Sequence, residues 1–450
     1  MEQDPVWAKL SRRGFVQGTV GLLGLSLLAA CGGPGTAAPV GSQAMTIRFG
    51  ARQGDKTDFI KDRIAAFTKL YPKVTVTYEE LPQQDAEYYP KLQSFSVTKN
   101  LPDVFWASIG RSSYQFLASK AVLRDVGQRA TENKVDLATD FYPNAIESLK
   151  VNGKIYALPW TVHPGRSILF YNKTLWEKAG LKAPDDDYTF EQLTRDSQKI
   201  VEGKLADYGF AGSYGGSDDF LSTLIVIRAF GGEVLSPDGK QCLLNSKEAL
   251  AAVQWMADMY HARKLSPLPA QGADFTTQNA NLFAAGKLAA YQSTYGGQFT
   301  PSDAQLAPGV VRANAPMPKG PANKHGSMFE VNCLALSPTT KAVNEAWAFA
   351  NFMCSKENGI AVTTQTGAPG GRPGNWDDPG LQAKSMQMTV KRSLDGAGPF
   401  LGPANFKGEA FNTTMSQLMQ QIWLGKVAPA QLLPDVTQKL QAILDQPAQQ

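Results

Sequence analysis

Residues 46–78 read TIRFGARQGDKTDFIKDRIAAFTKLYPKVTVTY, and they set the architecture expected for the rest of the chain. A β-rich run is followed by apolar residues at the spacing of one helical face, and then by a β-branched run of alternating polarity. Extended to residue 107, the pattern predicts strand 46–50, helix 59–70, strand 74–78, helix 88–97 and strand 103–107. This order predicts a parallel sheet with helices on both faces. In such sheets, ligands bind at the carboxyl ends of the strands.

The alternation begins again near residue 168, which predicts a second α/β domain. Thr189 and Gln192 have the spacing of a capping box, so a helix is expected to begin there. The predicted elements are strands 168–171, 288–291 and 331–336, and helices 173–179, 189–201, 221–230, 247–261, 340–353, 412–424 and 429–444. A Gly- and Pro-rich passage at 367–380 interrupts them. The roughly 400 residues from 45 onward are too many for one core and suit two domains.

The first 31 residues are typical of an export signal, so we do not expect them to be part of the fold. Arg12 and Arg13 form a twin arginine, 18–30 is an uncharged apolar run too short for a permanent membrane span, and Cys31 follows small residues. This arrangement is similar to a lipoprotein signal of the Tat route, in which Cys31 is acylated. Residues 32–44 predict a flexible tether. We therefore expect a lipid-anchored protein on the outer face of the cytoplasmic membrane, in the periplasm or at the cell surface.

Composition and motifs exclude several classes of function. Residues 1–30 carry three basic and two acidic side chains, so the formal charge without them falls from +4 to +3, which argues against nucleic-acid binding. Cys242, Cys333 and Cys354 lack the spacing of a metal site, and one disulfide among them stays open. The sequence has no nucleophile elbow, zinc-protease motif or P-loop. We expect no catalysis, no metal and no cofactor.

Several short motifs along the chain resemble, in order, those of the extracellular solute-binding proteins of carbohydrate importers, with the maltodextrin-binding group as the familiar member. Each motif is weak alone, but the ordered set covers nearly all of 45–445. The motifs are FTKLYPKVTV at 67–76, LPDVFW at 101–106, NGKIYALP at 152–159, FYNK at 170–173, AGL at 179–181, FAAGKLA at 283–289 and the final helix region at 425–440.

The resemblance implies an α/β chain with the two-lobed periplasmic-binding-protein type II fold, built from mixed, mostly parallel sheets joined by a hinge. It implies lobe one at 45–157 plus 320–364, lobe two at 165–311 plus 372–450, and crossings near 157–164, 312–319 and 364–372. The implied function is the substrate-binding component of an ABC importer. Such a protein captures a sugar or oligosaccharide in the cleft and delivers it to the permease subunits. We expect a monomer that meets the membrane only through its lipid anchor.

Sugar rings offer C–H faces and a rim of hydroxyls, which favours aromatic platforms beside polar groups that donate and accept. The family places an aromatic at the position of Trp106, a charged contact near Arg52 and a platform at the position of Tyr295. Trp160 lies in the first crossing, where it can touch both lobes. The predicted ligand-binding residues are Arg52, Gln53, Asp55, Trp106, Arg111, Trp160, Tyr214, Asp219, Tyr295, Gly296, Gly297, Glu330, Arg372 and Trp376.

Alternatives remain at this stage. Trp106 is also consistent with a core residue, Trp160 with packing between the lobes, and Glu330 with an ion pair. Four arginines suit a clamp for an anionic solute such as a sugar phosphate, glycerol phosphate, sulfonate or uronate, namely Arg52, Arg111, Arg166 and Arg372. The late stacking aromatic of the maltodextrin group has no clear match near 399–406. A secreted carbohydrate-active enzyme is a distant alternative, because such an enzyme needs paired carboxylates that the sequence does not offer.

Overall fold

The computed structural model describes residues 40–54, 56–83, 85–109, 113–212, 214, 219–268, 275–295 and 301–448. The predicted export signal, including Cys31, lies outside these residues. None of the helices in the described ranges combines the length and the apolar character that a membrane crossing requires.

Strands and helices alternate through most of the described chain. The strands are β1 (Met45–Arg52), β2 (Val74–Leu81), β3 (Val104–Ser108), β4 (Lys150–Val151), β5 (Lys154–Ile155), β6 (Ala157–His163), β7 (Ile168–Asn172), β8 (Tyr208–Ala211), β9 (Leu288–Ser293), β10 (Arg312–Pro316), β11 (Met328–Leu336) and β12 (Gly398–Pro399).

The helices are α1 (Thr57–Leu70), α2 (Asp85–Val97), α3 (Ser113–Ser119), α4 (Gly127–Glu132), α5 (Pro143–Ser148), α6 (Lys173–Lys178), α7 (Phe190–Glu202), α8 (Asp219–Ala229), α9 (Lys247–Tyr260), α10 (Phe275–Ala284), α11 (Val343–Met353), α12 (Lys356–Thr366), α13 (Pro379–Gln382), α14 (Ser385–Asp395), α15 (Gly408–Trp423) and α16 (Pro429–Leu444), with short 3₁₀ turns at Asp303–Gln305 and Pro373–Asp377.

The first sheet has the strand order β12-β11-β3-β1-β2, with β6 also paired to β11. β1 is parallel to β2 and β3, and β11 is antiparallel to both β3 and β6. The carboxyl ends of β1, β3 and β6 therefore share one edge of the sheet with the start of β11. This is the edge that the βαβ order of the sequence predicts for ligand binding.

The second sheet has the order β10-β7-β9-β8. Only β8 and β9 pair in parallel, whereas β7 is antiparallel to both β9 and β10. This sheet is more antiparallel than the sequence led us to expect. The reason is that the chain enters β7 from the first sheet and leaves β10 for it, so these strands are not joined by βαβ crossovers.

The chain passes between the two sheets at identifiable segments. It leaves β6 of the first sheet after His163 and begins β7 at Ile168, so most of the predicted crossing 157–164 is a strand. The return runs through 317–327, since 312–316 belongs to β10. Residues 369–371, within the third predicted crossing, lie along β6, where Val162 N–H donates to Pro369 O and Gly371 N–H donates to Trp160 O.

The capping box predicted at Thr189 is confirmed. Gln192 N–H donates to Thr189 Oγ1 at 3.1 Å, and Thr189 N–H donates to Gln192 Oε1 at 2.8 Å. Several helices of the described chain were not predicted, α12 and α14 among them. The buried side of α14 carries Gln387, Thr389 and Ser393, so its sequence lacks the apolar stripe that marks a surface helix.

Cys242, Cys333 and Cys354 are all buried and unbridged. Burial raises the pKa of the Cys242 thiol to about 11, and it raises the pKa of the other two thiols further. Each of these side chains therefore acts as a small core group and not as a reactive thiolate.

Candidate functional site

The edge of the first sheet where β1, β3 and β6 end brings together side chains that are far apart in sequence. Arg52 is the last residue of β1, Trp106 lies in β3, and His163 is the last residue of β6. Glu330 lies near the start of β11 and pairs in register with His163. The strand directions alone place these groups at one edge.

Trp106 lies in an aromatic cluster with two residues of α2. The ring of Tyr88 meets the indole edge-on at 5.2 Å, and Tyr88 Oη donates to Trp106 O at 2.7 Å. The ring of Tyr89 is 6.4 Å away, and its hydroxyl accepts from Ser108 N–H at 3.2 Å. The side chain of Trp106 is only 3% exposed. Trp106 therefore does not present an open stacking face in this structure.

Arg52 covers that indole. Its guanidinium carbon lies 5.0 Å from the ring centroid of Trp106, and its Nε donates to Gln83 O at 2.6 Å. Gln53 is exposed, and its backbone N–H continues the ladder to Leu81 O at 2.8 Å. The predicted residues Asp55 and Arg111 lie outside the described residues.

Trp160 lies in β6 and is 1% exposed. The ring of Phe59 lies 6.4 Å from it, and the ammonium of Lys56 lies 5.8 Å from its centroid. The indole nitrogens of Trp106 and Trp160 are both buried, and neither has a hydrogen-bond partner among the described residues. Lys56 was not singled out in the sequence, although its place one residue before α1 puts it in the same segment as Arg52.

His163, Glu330 and Tyr295 connect the edges of the two sheets. His163 Nδ1 lies 3.2 Å from Glu330 Oε2, and both side chains are mostly buried. The ring of Tyr295, two residues beyond β9 of the second sheet, meets the His163 ring edge-on at 5.7 Å. Gly296 and Gly297 lie outside the described residues. The structure thus brings together Glu330 and Tyr295 from the predicted set, with His163 between them.

Tyr214 faces the interior of the region around the second sheet. Its ring is 1% exposed, lies 5.7 Å from Trp423 and 6.3 Å from Tyr260, and folds back over Gly212. Burial raises the pKa of the Tyr214 hydroxyl. The sequence suggested a ligand contact, whereas these neighbours make Tyr214 a packing residue. Asp219 is the first residue of α8.

Arg372 and Trp376 also have neighbours within the protein. Arg372 Nη1 lies 3.0 Å from Asp140 Oδ2, its Nε donates to Cys354 O, and its guanidinium carbon lies 4.3 Å from the Phe141 centroid. Trp376 is 5% exposed, and its Nε1 donates to Tyr142 Oη. The polar groups of both residues are engaged by the segment before α5. Arg372 therefore does not join Arg52 in the arginine clamp that the sequence suggested.

Arg166 lies in the first passage between the sheets and is 4% exposed. Its carbonyl accepts from Gln292 Nε2 of β9 at 3.0 Å, so this passage is tied to the second sheet. The burial of Arg166 has no signature in the local sequence, because the pairing of β7 with β9 that follows it joins segments more than 100 residues apart.

Comparison with known proteins places this geometry in a family. The sequence model described as bacterial extracellular solute-binding protein matches residues 53–360, which is more than half of the chain. A putative binding protein of Brucella abortus is 25% identical over 436 residues, covering 94% of this chain and 97% of the relative. The mannitol-binding protein of Pseudomonas aeruginosa is 24% identical over 313 residues, covering 65% and 70%.

Solved structures agree on the architecture. The sugar-binding protein MalE of Xanthomonas citri superposes with a TM-score of 0.76 at 19% identity, covering 89% of this chain and 97% of that one. This likeness confirms the two-lobed α/β fold of periplasmic binding proteins. Because the family match covers most of both sheets, the chain belongs to the bacterial extracellular solute-binding proteins.

Proposed function

We propose that this protein is the extracellular binding component of an ABC importer, and that it captures a sugar, sugar alcohol or short oligosaccharide between its two lobes. The family is one of solute-binding proteins and not of enzymes. The observation that carries the proposal is the meeting of the two sheets at His163, Glu330 and Tyr295, with Trp106 and Trp160 in strands that end at the same edge. A solute held there contacts both lobes.

The chemistry of these groups suits polyhydroxylated solutes. Aromatic rings pack against C–H faces, and hydroxyls both donate and accept. Glu330 supplies acceptors, and the indole N–H groups of Trp106 and Trp160 are two donors that lack partners in the described chain. The mannitol-binding relative supports this solute class.

The lobes close by rotation about the two short passages between the sheets, 164–167 and 317–327. Each passage contains a glycine with positive φ, namely Gly165 at 66° and Gly326 at 74°. A ligand shifts the equilibrium towards the closed form only by the contacts that it makes to both lobes. In this proposal, lobe one is built on the first sheet and lobe two on the second.

Export and anchoring complete the proposal. The twin arginine at Arg12 and Arg13 directs export, Cys31 receives the lipid, and 32–44 tethers the binding unit near the permease subunits. Metabolic labelling with a radioactive fatty acid tests this step. Wild-type protein should incorporate label and Cys31→Ser should not, and equal labelling of the two would refute the anchor.

The binding function is tested with exported, processed protein purified in detergent, by thermal shift and calorimetry against D-mannitol, maltose and N,N′-diacetylchitobiose. A ligand at a hundredfold excess over its Kd stabilises the protein by about 2.7 kcal/mol. Glycerol 3-phosphate serves as the anionic comparison. If no sugar or polyol shifts the melting temperature while the phosphate ester does, the carbohydrate proposal fails.

A further inference from the structure

A cation lies over the ring of each of two buried tryptophans in the first sheet. The cations are Arg52, at the end of β1, and Lys56, directly before α1. The guanidinium carbon of Arg52 lies 5.0 Å from the Trp106 centroid, and the ammonium of Lys56 lies 5.8 Å from the Trp160 centroid. Both distances are within the range of cation–π attraction.

The two indoles are concealed in this arrangement. Trp106 is 3% exposed and Trp160 is 1% exposed, and their strands β3 and β6 both end at the edge that the sequence predicts for ligand binding. The indole nitrogens are buried, and the described chain offers neither of them an acceptor. An unsatisfied buried donor is costly, so each N–H favours an occupant that brings an oxygen acceptor.

We propose that Arg52 and Lys56 are specificity-determining residues that cap a concealed stacking platform, and that a solute must displace them to reach Trp106 and Trp160. This inference rests on the proposed function. The displaced cations move into water, the C–H face of the solute takes their place on the indole, and its hydroxyl oxygens accept from the buried indole N–H groups. The uncovered platform therefore favours polyhydroxylated rings and chains over apolar ligands, which bring no acceptor.

The size of the effect follows from the strength of the caps. Losing one cation–π contact at a partly exposed site changes a binding constant by about 2- to 5-fold. Arg52→Met and Lys56→Met keep an unbranched stem at each position and remove its charge. Each variant should bind D-mannitol or maltose about 2- to 5-fold more tightly than the wild-type protein. Lys91→Met is the matched control, because Lys91 lies 4.9 Å from the Phe95 ring on α2.

Displacement is observed directly by fluorine NMR of the processed protein labelled with 5-fluorotryptophan, with Trp106→Phe and Trp160→Phe used for assignment. Without sugar, Arg52→Met should move the Trp106 resonance and Lys56→Met the Trp160 resonance. Adding sugar to the wild-type protein should move both, and leave the buried Trp347 unchanged.

The outcomes separate this inference from the proposed function. If the wild-type protein binds no sugar by calorimetry, the proposed function fails. If it binds sugar while the Trp106 and Trp160 resonances stay in place, only the capping inference fails. Unchanged binding by both methionine variants also overturns the capping inference, because the cations would then not compete with the solute. Weaker binding by both overturns it as well, because the cations would then bind the solute directly.

Discussion

Gly326 lies in the passage from the second sheet back to the first, and its backbone touches helix α8. Its φ is 74°, a conformation that L-residues rarely adopt. A Cβ atom added at this position would lie 1.9 Å from Ile225 O and 2.7 Å from Ala229 N. Those two atoms are joined in the helix as an i to i+4 pair, so the added methyl group would enter the backbone of α8 itself.

Gly326→Ala combines two separate costs. The left-handed backbone costs about 1–2 kcal/mol for a residue with a Cβ. Overlap with a helix backbone cannot be relieved by rotating a side chain, and forced backbone shifts add about 1–3 kcal/mol. We therefore expect Gly326→Ala to lower the free energy of unfolding by about 2–5 kcal/mol.

Gly153→Ala is the matched control, because Gly153 has φ 76° and no atom within 4 Å of the added Cβ. Urea unfolding followed by circular dichroism gives both free energies from the midpoint and slope. Gly153→Ala reports the backbone cost alone, so the difference between the variants isolates the overlap. If Gly326→Ala costs no more than Gly153→Ala, the passage is not pinned against α8 and the reasoning is wrong.

Three further predictions concern single side chains. Burial lowers the pKa of His325 below its usual 6.5, so the unfolded chain takes up a proton at a higher pH than the folded protein does. The free energy of unfolding should therefore decrease as the pH falls below about 6.5. His325→Gln should show a smaller decrease between pH 7 and pH 5, and parallel curves for the two proteins would contradict this. Arg372→Met removes the ion pair with Asp140 and should lower the free energy of unfolding by about 1 kcal/mol. The Kd for sugar should stay unchanged. A tenfold weaker Kd would show that Arg372 contacts the solute. Cys333 and Cys354 should resist a thiol reagent in the native protein and react in urea, and fast native reaction would show that burial does not protect them.

Much of the secondary structure was predictable, because it depends on signals within a few residues. The strand–helix alternation of 46–107 corresponds to β1 through β3, and the capping box at Thr189 begins α7. The family resemblance implied a crossing near 157–164. The segment 157–163 forms β6 because it pairs with β11, more than 160 residues later, and no local pattern reports that pairing.

The sequence by itself determined the family, the order of elements and the types of side chain available for binding, because periodicity, caps and ordered motifs are local properties of the chain. Only the tertiary structure decided which of those side chains meet. Trp376 donates to Tyr142, 234 residues away, and Arg372 pairs with Asp140, so two predicted ligand contacts belong to packing. Trp106 lies at the expected edge but beneath Arg52. Whether a polar or aromatic side chain is open to a ligand depends on partners that are distant in sequence. Only the tertiary structure brings those partners into contact.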